Sequence, residues 1–300
     1  RVLYVASDGR DVAGLYELPA SLEGPARRIA RRNSLEPNVA LGDGRIVFAQ
    51  SEWTDPWRLR TDLWMRERDG TEHALTRGAR LFAPDARLRD GAVLAAQNVA
   101  GTTRLVRVGA DGAVTPITSA SLDTNWSAPR WSHDGARIAA ARWVRGGTMS
   151  IVVLDTLGGE RRVLASARAT VGFPSWTAND RAILFAVNNS GASAIWSVDV
   201  ATGRLTPGAV ASTSLDAPEA TADGYVAVET RGGGERLVAS SQFGAPGSVT
   251  AVPGIADASP PSPPVVADGE VKPYRALRQL VPRYWLPSIE TTDEDETRFG

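Results

Sequence analysis

Apolar residues in this chain come in short runs between turn-forming pairs, not at the three-to-four spacing of an amphipathic helix. The clearest runs are Ile46-Val47-Phe48-Ala49, Val93-Leu94-Ala95-Ala96, Ile138-Ala139-Ala140-Ala141, Ile183-Leu184-Phe185-Ala186 and Val226-Ala227-Val228. Runs this short and this uniformly apolar predict strands covered on both faces. Each follows a turn pair, at Asp43-Gly44, Asp90-Gly91, Asp134-Gly135, Asn179-Asp180 and Asp223-Gly224. Asp-Gly supplies the positive φ that a tight hairpin needs. Five or six residues before each pair stands a proline: Pro37, Pro84, Pro129, Pro174 and Pro218, spaced by 47, 45, 45 and 44 residues. Proline has no N–H to give a sheet, so it is expected at the first residue of a strand.

The rest of each unit follows the same logic. A third strand is predicted at Asp62-Leu63-Trp64-Met65 and at Ala194-Ile195-Trp196-Ser197-Val198. Further turns stand at Asp69-Gly70, Asp111-Gly112, Gly158-Gly159 and Thr202-Gly203, and a short fourth strand at His73-Ala74-Leu75 and Arg162-Val163-Leu164. Four strands per ~45 residues is the period of a β-propeller blade. Such a sheet cannot bury both faces alone, so blades stack around an axis. The fold class expected is therefore all-β, a propeller of about six four-stranded blades. Five repeats are full. Residues 1 to 33 read as the last three strands of an incomplete first blade. Trp131 and Trp176 share one repeat position, held by Val39, Ala86 and Ala220 elsewhere, and are expected to pack between blades.

Within the repeat, Trp131-Ser132-His133-Asp134-Gly135-Ala136-Arg137-Ile138-Ala139 resembles the signature of bacterial TolB-type, WD-like propeller repeats. There the segment runs Trp-Ser-Pro-Asp-Gly, two residues, then Ile-Ala; here His133 replaces the usual proline. Pro174-Ser175-Trp176-Thr177 and Pro84-Asp85 are degenerate copies. The resemblance covers about residues 1 to 250 and implies the fold more than the function.

Composition changes after Val252. Residues 253 to 273 form a proline-rich linker containing Ser259-Pro260-Pro261-Ser262-Pro263-Pro264, a semi-stiff spacer. Residues 274 to 300 regain aromatic character and point toward a further domain. Tyr274, Leu280, Pro282, Arg283, Tyr284, Trp285, Leu286 and Pro287 resemble the junction, in some bacterial proteins, between a TolB-like propeller and a surface-antigen type outer-membrane barrel. That resemblance implies a periplasmic, outer-membrane-associated protein with Tyr284 and Trp285 near the membrane, where amphipathic rings are favoured. The alternative is a tail whose rings pack on the propeller. The chain opens in mid-strand with neither an initiator methionine nor a leader, as expected of a piece of a longer secreted protein.

Bulk composition removes several function classes. Lys plus Arg number 33 against 34 Asp plus Glu, a net charge of −1. Nucleic acid is not an expected partner, since no basic footprint exists. Lys272 is the only lysine, which reads as a bias of genome composition. Cysteine is absent, which excludes zinc ribbons, thiol catalysis and disulfides. No apolar run is long enough for a transmembrane helix. The two histidines, His73 and His133, lie in turn regions outside any His-Glu-x-x-His motif, and no Gly-x-Ser-x-Gly elbow occurs. The glycine clusters at 146 to 147 and 232 to 234 lack a phosphate-loop Lys and read as hairpin turns. The acidic run Asp293 to Glu296 lacks calcium-loop spacing and reads as a solvated spacer. No cofactor or metal is expected.

One connection stands out. Residues 51 to 61 are longer than their counterparts and contain Trp53, Trp57, Arg58 and Arg60. Tryptophan beside arginine suits a partner-binding patch; the alternative is that both rings fold back on the blade. The leading expectation is a monomeric, non-enzymatic propeller scaffold for a protein or peptide partner. The alternatives are the gating propeller of a prolyl-oligopeptidase-type serine peptidase and a propeller for sugars or small ligands.

Overall fold

The computed structural model describes residues 1–7, 13–19, 21–31, 38–188, 191–208, 214–222, 224–241, 289–291 and 297–299. They fall in two compact units, Arg1–Ala258 and Ser259–Gly300. The described residues contain strands and turns but no helix.

The first unit is a six-bladed β-propeller. Its blades are consecutive antiparallel sheets: β1 (Val2–Ala6) to β3 (Arg27–Arg31) through β2 (Gly14–Leu18); β4 (Asn38–Ala40), β5 (Ile46–Asp55), β6 (Arg58–Arg66) and β7 (Glu72–Ala74); β8 (Leu81–Ala86), β9 (Val93–Val99), β10 (Thr102–Val108) and β11 (Val114–Pro116). The fourth holds β12 (Thr124–Trp131), β13 (Arg137–Val144), β14 (Thr148–Asp155) and β15 (Glu160–Ala167). The fifth holds β16 (Thr170–Trp176), β17 (Ala182–Asn188), β18 (Ser193–Asp199) and β19 (Leu205–Pro207), and the sixth β20 (Ser214–Thr221), β21 (Gly224–Arg231) and β22 (Gly234–Ser240). Four sheets show all four strands. The first and sixth show three among the described residues. The second unit contains a hairpin of β23 (Ile289–Thr291) and β24 (Thr297–Phe299).

The first strands of successive sheets pack on one another, β4 on β8, β8 on β12, β12 on β16 and β16 on β20, which places them around the axis. The apolar runs form the second strands and are buried from Ile46 to Ala49, Val93 to Ala96, Ile138 to Ala141 and Ile183 to Ala186. Their alternation divides each run between two neighbours. Ala139 and Ala141 join the core shared with the fifth sheet, while Ile138 and Ala140 join that shared with the third. One such core lies between each consecutive pair of blades, from Leu15, Ile46 and Phe48 at the start to Leu184, Leu215 and Tyr225 at the end. This is why the strands carry no polar face: both of their faces are interiors.

The prolines expected at the first residue of each strand instead lie inside it: Pro84 in β8, Pro129 in β12, Pro174 in β16 and Pro218 in β20. Pro37 is outside the described residues. A β-bulge makes this possible. The ladder to the second strand skips between Phe82 and Asp85, Ser127 and Arg130, Gly172 and Ser175, and Asp216 and Glu219. The residue before each proline takes positive φ, at Ala83 (52°), Ala128 (47°), Phe173 (55°) and Ala217 (48°). The bulge lifts proline out of the hydrogen-bonded ladder, where its missing N–H would cost a bond. A bulky residue such as Phe173 in the left-handed region is a true outlier. The same device in four blades shows that it belongs to the architecture of the inner strand.

Candidate functional site

Because each bulge re-aims the strand just before its end, the residue after each proline points toward the axis. Asp85, Arg130, Ser175 and Glu219 occupy this one repeat position, and all four line a single cavity of about 210 Å³. Its walls continue with Ala86, Leu88, Trp131, His133 and Trp176. These are strand ends and residues of the turn that follows, so the cavity opens on the face of the disc that carries the first-to-second-strand turns.

Two of the four residues brace the ring of blades. Trp131 N–H donates to Asp85 Oδ2 at 2.6 Å, and Ala220 N–H donates to Ser175 Oγ at 2.9 Å. In both cases a side chain of one blade closes the bulge-end backbone of the next. Arg130 reaches further. Its Nη1 lies 3.3 Å from Asp85 Oδ1 in the third blade and its Nη2 3.2 Å from Glu219 Oε2 in the sixth. The guanidinium thus lies across the axis, between carboxylates from opposite sides.

The electrostatics are uneven. Burial pushes the Asp85 carboxyl above its ordinary range; Arg130 and the Trp131 N–H pull it back, while Glu219 adds to the rise. Glu219, and secondarily Asp85, hold Arg130 still more firmly protonated, against the opposing effect of burial. Two carboxylates therefore share one cation, and burial makes that imbalance matter.

The two tryptophans behave as the repeat predicts. Trp131 and Trp176 are buried in the cores between blades. Each indole N–H donates to the preceding blade, Trp131 to the Ala92 carbonyl and Trp176 to the Arg130 carbonyl, both at 3.1 Å. Arg87 and Arg137, from those preceding blades, stack over the rings at 4.6 and 4.8 Å. The rings line the cavity while anchoring the blades.

His133 stands at the cavity rim, and its neighbour across the blade boundary is Asp180. That carboxylate accepts the backbone N–H of His133 and of Asp134 at 2.9 Å each, and lies 2.9 Å from His133 Nδ1. A proline at position 133, as in the resembling repeats, would have no N–H to offer. The departure from the repeat signature is therefore put to use in a clasp between blades.

The predicted patch of Trp53, Trp57, Arg58 and Arg60 is placed differently. Its segment is the end of a long hairpin, β5 with β6, rather than a loop. Both tryptophans project: Trp53 is 70% and Trp57 90% exposed, so neither folds back on the blade. Trp53 faces Leu59 across the ladder, on the side marked by the Ser51–Thr61 hydroxyl contact, whereas Glu52 faces Arg60 on the other side. Trp57 and Arg58 sit at the apex, where Arg58 pairs with Asp55 at 3.6 Å. The four residues thus split between two faces and a tip. In an antiparallel meander this second turn lies on the opposite face of the disc from the axial cavity. Tyr284, Trp285 and the run Asp293 to Glu296 lie outside the described residues.

His73, in β7, pairs with Met65 across the ladder and lies 3.9 Å from Glu67. Among the described residues, no three His, Cys, Asp or Glu are grouped to hold a metal ion, and none of the described helices could cross a membrane because there are none. The axial quartet was missed as a site although its signal lay in the repeat. Aligning the prolines puts Asn38, Asp85, Arg130, Ser175 and Glu219 in one column, polar throughout beside an apolar one.

No family model and no curated protein matches this chain. Solved structures do. TolB from Acinetobacter baumannii is 17% identical with a TM-score of 0.55, over 80% of this chain and 64% of that one, so this chain spans just under two thirds of it. TolB from Agrobacterium tumefaciens is 18% identical with a TM-score of 0.57, over 68% of this chain and 73% of that one. A puromycin hydrolase is 17% identical with a TM-score of 0.53, over 97% of this chain and 46% of that one. At such identities the likeness establishes the propeller fold; function resides in sites.

Proposed function

We propose that this chain is a non-enzymatic propeller scaffold that binds a protein or peptide segment at the axial mouth. The observation that carries it is the convergence of Asp85, Arg130, Ser175 and Glu219, from four blades, on one cavity. Each blade contributes one side chain from a rigid strand end, so the polar groups are held in place before any partner arrives. The likeness to two TolB propellers supports the scaffold reading and a bacterial periplasmic setting. The resemblance of residues 274 to 287 to a barrel junction supports attachment to the outer membrane.

The test is a display library of random peptides panned against the full chain, followed by binding of the selected peptides to His133→Ala and Glu219→Ala. Both side chains are solvent-accessible at the rim, at 45% and 59%, so both variants are expected to fold. Loss of binding in these variants supports the axial mouth. Unchanged binding in them, with loss in Trp53→Ala or Trp57→Ala, moves the site to the hairpin on the other face. A second reading is favoured by the match of 97% of this chain to part of a puromycin hydrolase: here the propeller gates a serine peptidase. A Gly-x-Ser-x-Gly elbow encoded downstream would establish it, and ten-residue segments of alternating hydrophobicity would establish the barrel instead.

A further inference from the structure

We infer that the axial cavity is a subsite for one basic side chain, an arginine or lysine of the bound segment, received by the Glu219 carboxylate. The inference rests on the axial-mouth reading above and specifies its ligand. Three observations carry it.

The first is charge. The cavity lining holds two carboxylates and one guanidinium. Asp85 has both oxygens engaged, by Arg130 and by the Trp131 N–H. Glu219 offers one oxygen to Arg130 and is otherwise unpaired among the described residues, with its side chain 59% exposed. At the rim, Arg87 and Arg89 pair with Asp90, Arg137 with Asp134, and Asp180 is held by His133 and two backbone N–H groups. Among the described lining residues, Asp85 and Glu219 thus face a single guanidinium, that of Arg130.

The second is size. A cavity of about 210 Å³ that opens at the mouth has room for one long side chain. The third is the lining. Ala86, Leu88 and the tryptophan edges form an apolar wall beside the carboxylates, which suits a methylene stem carrying a charged head. An acidic side chain would meet Asp85 and Glu219 at close range and would have to strip one of them from Arg130.

Three probes test this on the full chain: the capped tripeptides Ac-Gly-Arg-Gly-NH2, Ac-Gly-Glu-Gly-NH2 and the arginine peptide with citrulline, its uncharged isostere. The readout is the shift of the Trp131 and Trp176 indole N–H resonances on titration. The inference expects shifts with the arginine peptide, weakened at least about tenfold by citrulline and by Glu219→Gln, since loss of a charge-assisted contact is of that order. Preference for the glutamate peptide, or equal binding of citrulline, overturns it while leaving the mouth a binding site. So does silence toward all three probes if library peptides still bind at the rim. If library peptides also fail there, both readings fall together.

Discussion

Asp180 stands where the other first turns carry glycine. Gly44, Gly91 and Gly135 hold φ of 93°, 69° and 67°, and Asp180 holds 54°. An L-residue in that region costs about 1–2 kcal/mol. The return is its carboxylate, only 10% exposed, which accepts two backbone N–H groups of the neighbouring turn at 2.9 Å. Hydrogen bonds to a charged group contribute about 1.5–3 kcal/mol each, so two outweigh the backbone strain. Asp180→Gly removes both and is expected to destabilise the propeller by about 1–5 kcal/mol. Asp180→Ala loses the same bonds but keeps the strain, and is expected to be about 1 kcal/mol worse still. His133→Pro deletes one donor. It should cost about 1–3 kcal/mol in the parent chain and much less beside Asp180→Gly, because the partner is already gone. Urea unfolding followed by tryptophan fluorescence, with midpoints compared at unchanged slope, measures all four. The reasoning is refuted if Asp180→Gly equals or exceeds the parent in stability, or if the two Asp180 variants coincide.

Gly112 and Gly158 sit in third turns at φ of 79° and 89°, and a β-carbon on either would overlap the carbonyl of Leu75 or Ile117 on the preceding blade. Gly112→Ala and Gly158→Ala are each expected to cost about 2–4 kcal/mol in urea unfolding, whereas Gly146→Ala, with open space around it, should cost only the backbone strain of about 1 kcal/mol. Acid should weaken the fold. Neighbouring hydrogen bonds hold Asp90, Asp134 and Asp199 below their ordinary value of 3.8, with Arg87, Ser132 and Thr202 the leading partners. Their contribution is present above pH 3.8 and is lost as pH falls through the lowered folded values. Asp43, Asp69, Asp155 and Glu229 are lowered in the same sense, and Asp85, raised by burial, works in the opposite one. The urea midpoint should therefore drop between pH 4 and pH 2, and a midpoint that rises on acidification contradicts this. Trp53→Ala and Trp57→Ala should leave the midpoint within about 0.5 kcal/mol of the parent, as expected for exposed positions; a larger loss would mean that the hairpin tip packs on the blade.

The parts of this protein that could be read from sequence are those in which one residue type has one physical use. Buried second strands must be apolar on both faces, so their runs are visible without a structure. Asp-Gly turns need positive φ, so they punctuate the repeat. The bulge was not visible because proline marks two opposite situations: the start of a strand and a place inside one where the ladder is already broken. Pro84 in its sequence context fits either, and only the pairing of Phe82 and Asp85 with Ala96 and Leu94 decides. The axial site was hidden for the same reason. A proline at a strand's first residue makes the next residue an ordinary strand position, whereas a proline in a bulge makes it the residue turned to the axis. Once the bulge is known, the column containing Asp85, Arg130, Ser175 and Glu219 is the lining of a cavity. Its variability then follows from its position: four blades each supply a different group, so the cavity they line is asymmetric although the repeat that builds the fold is regular.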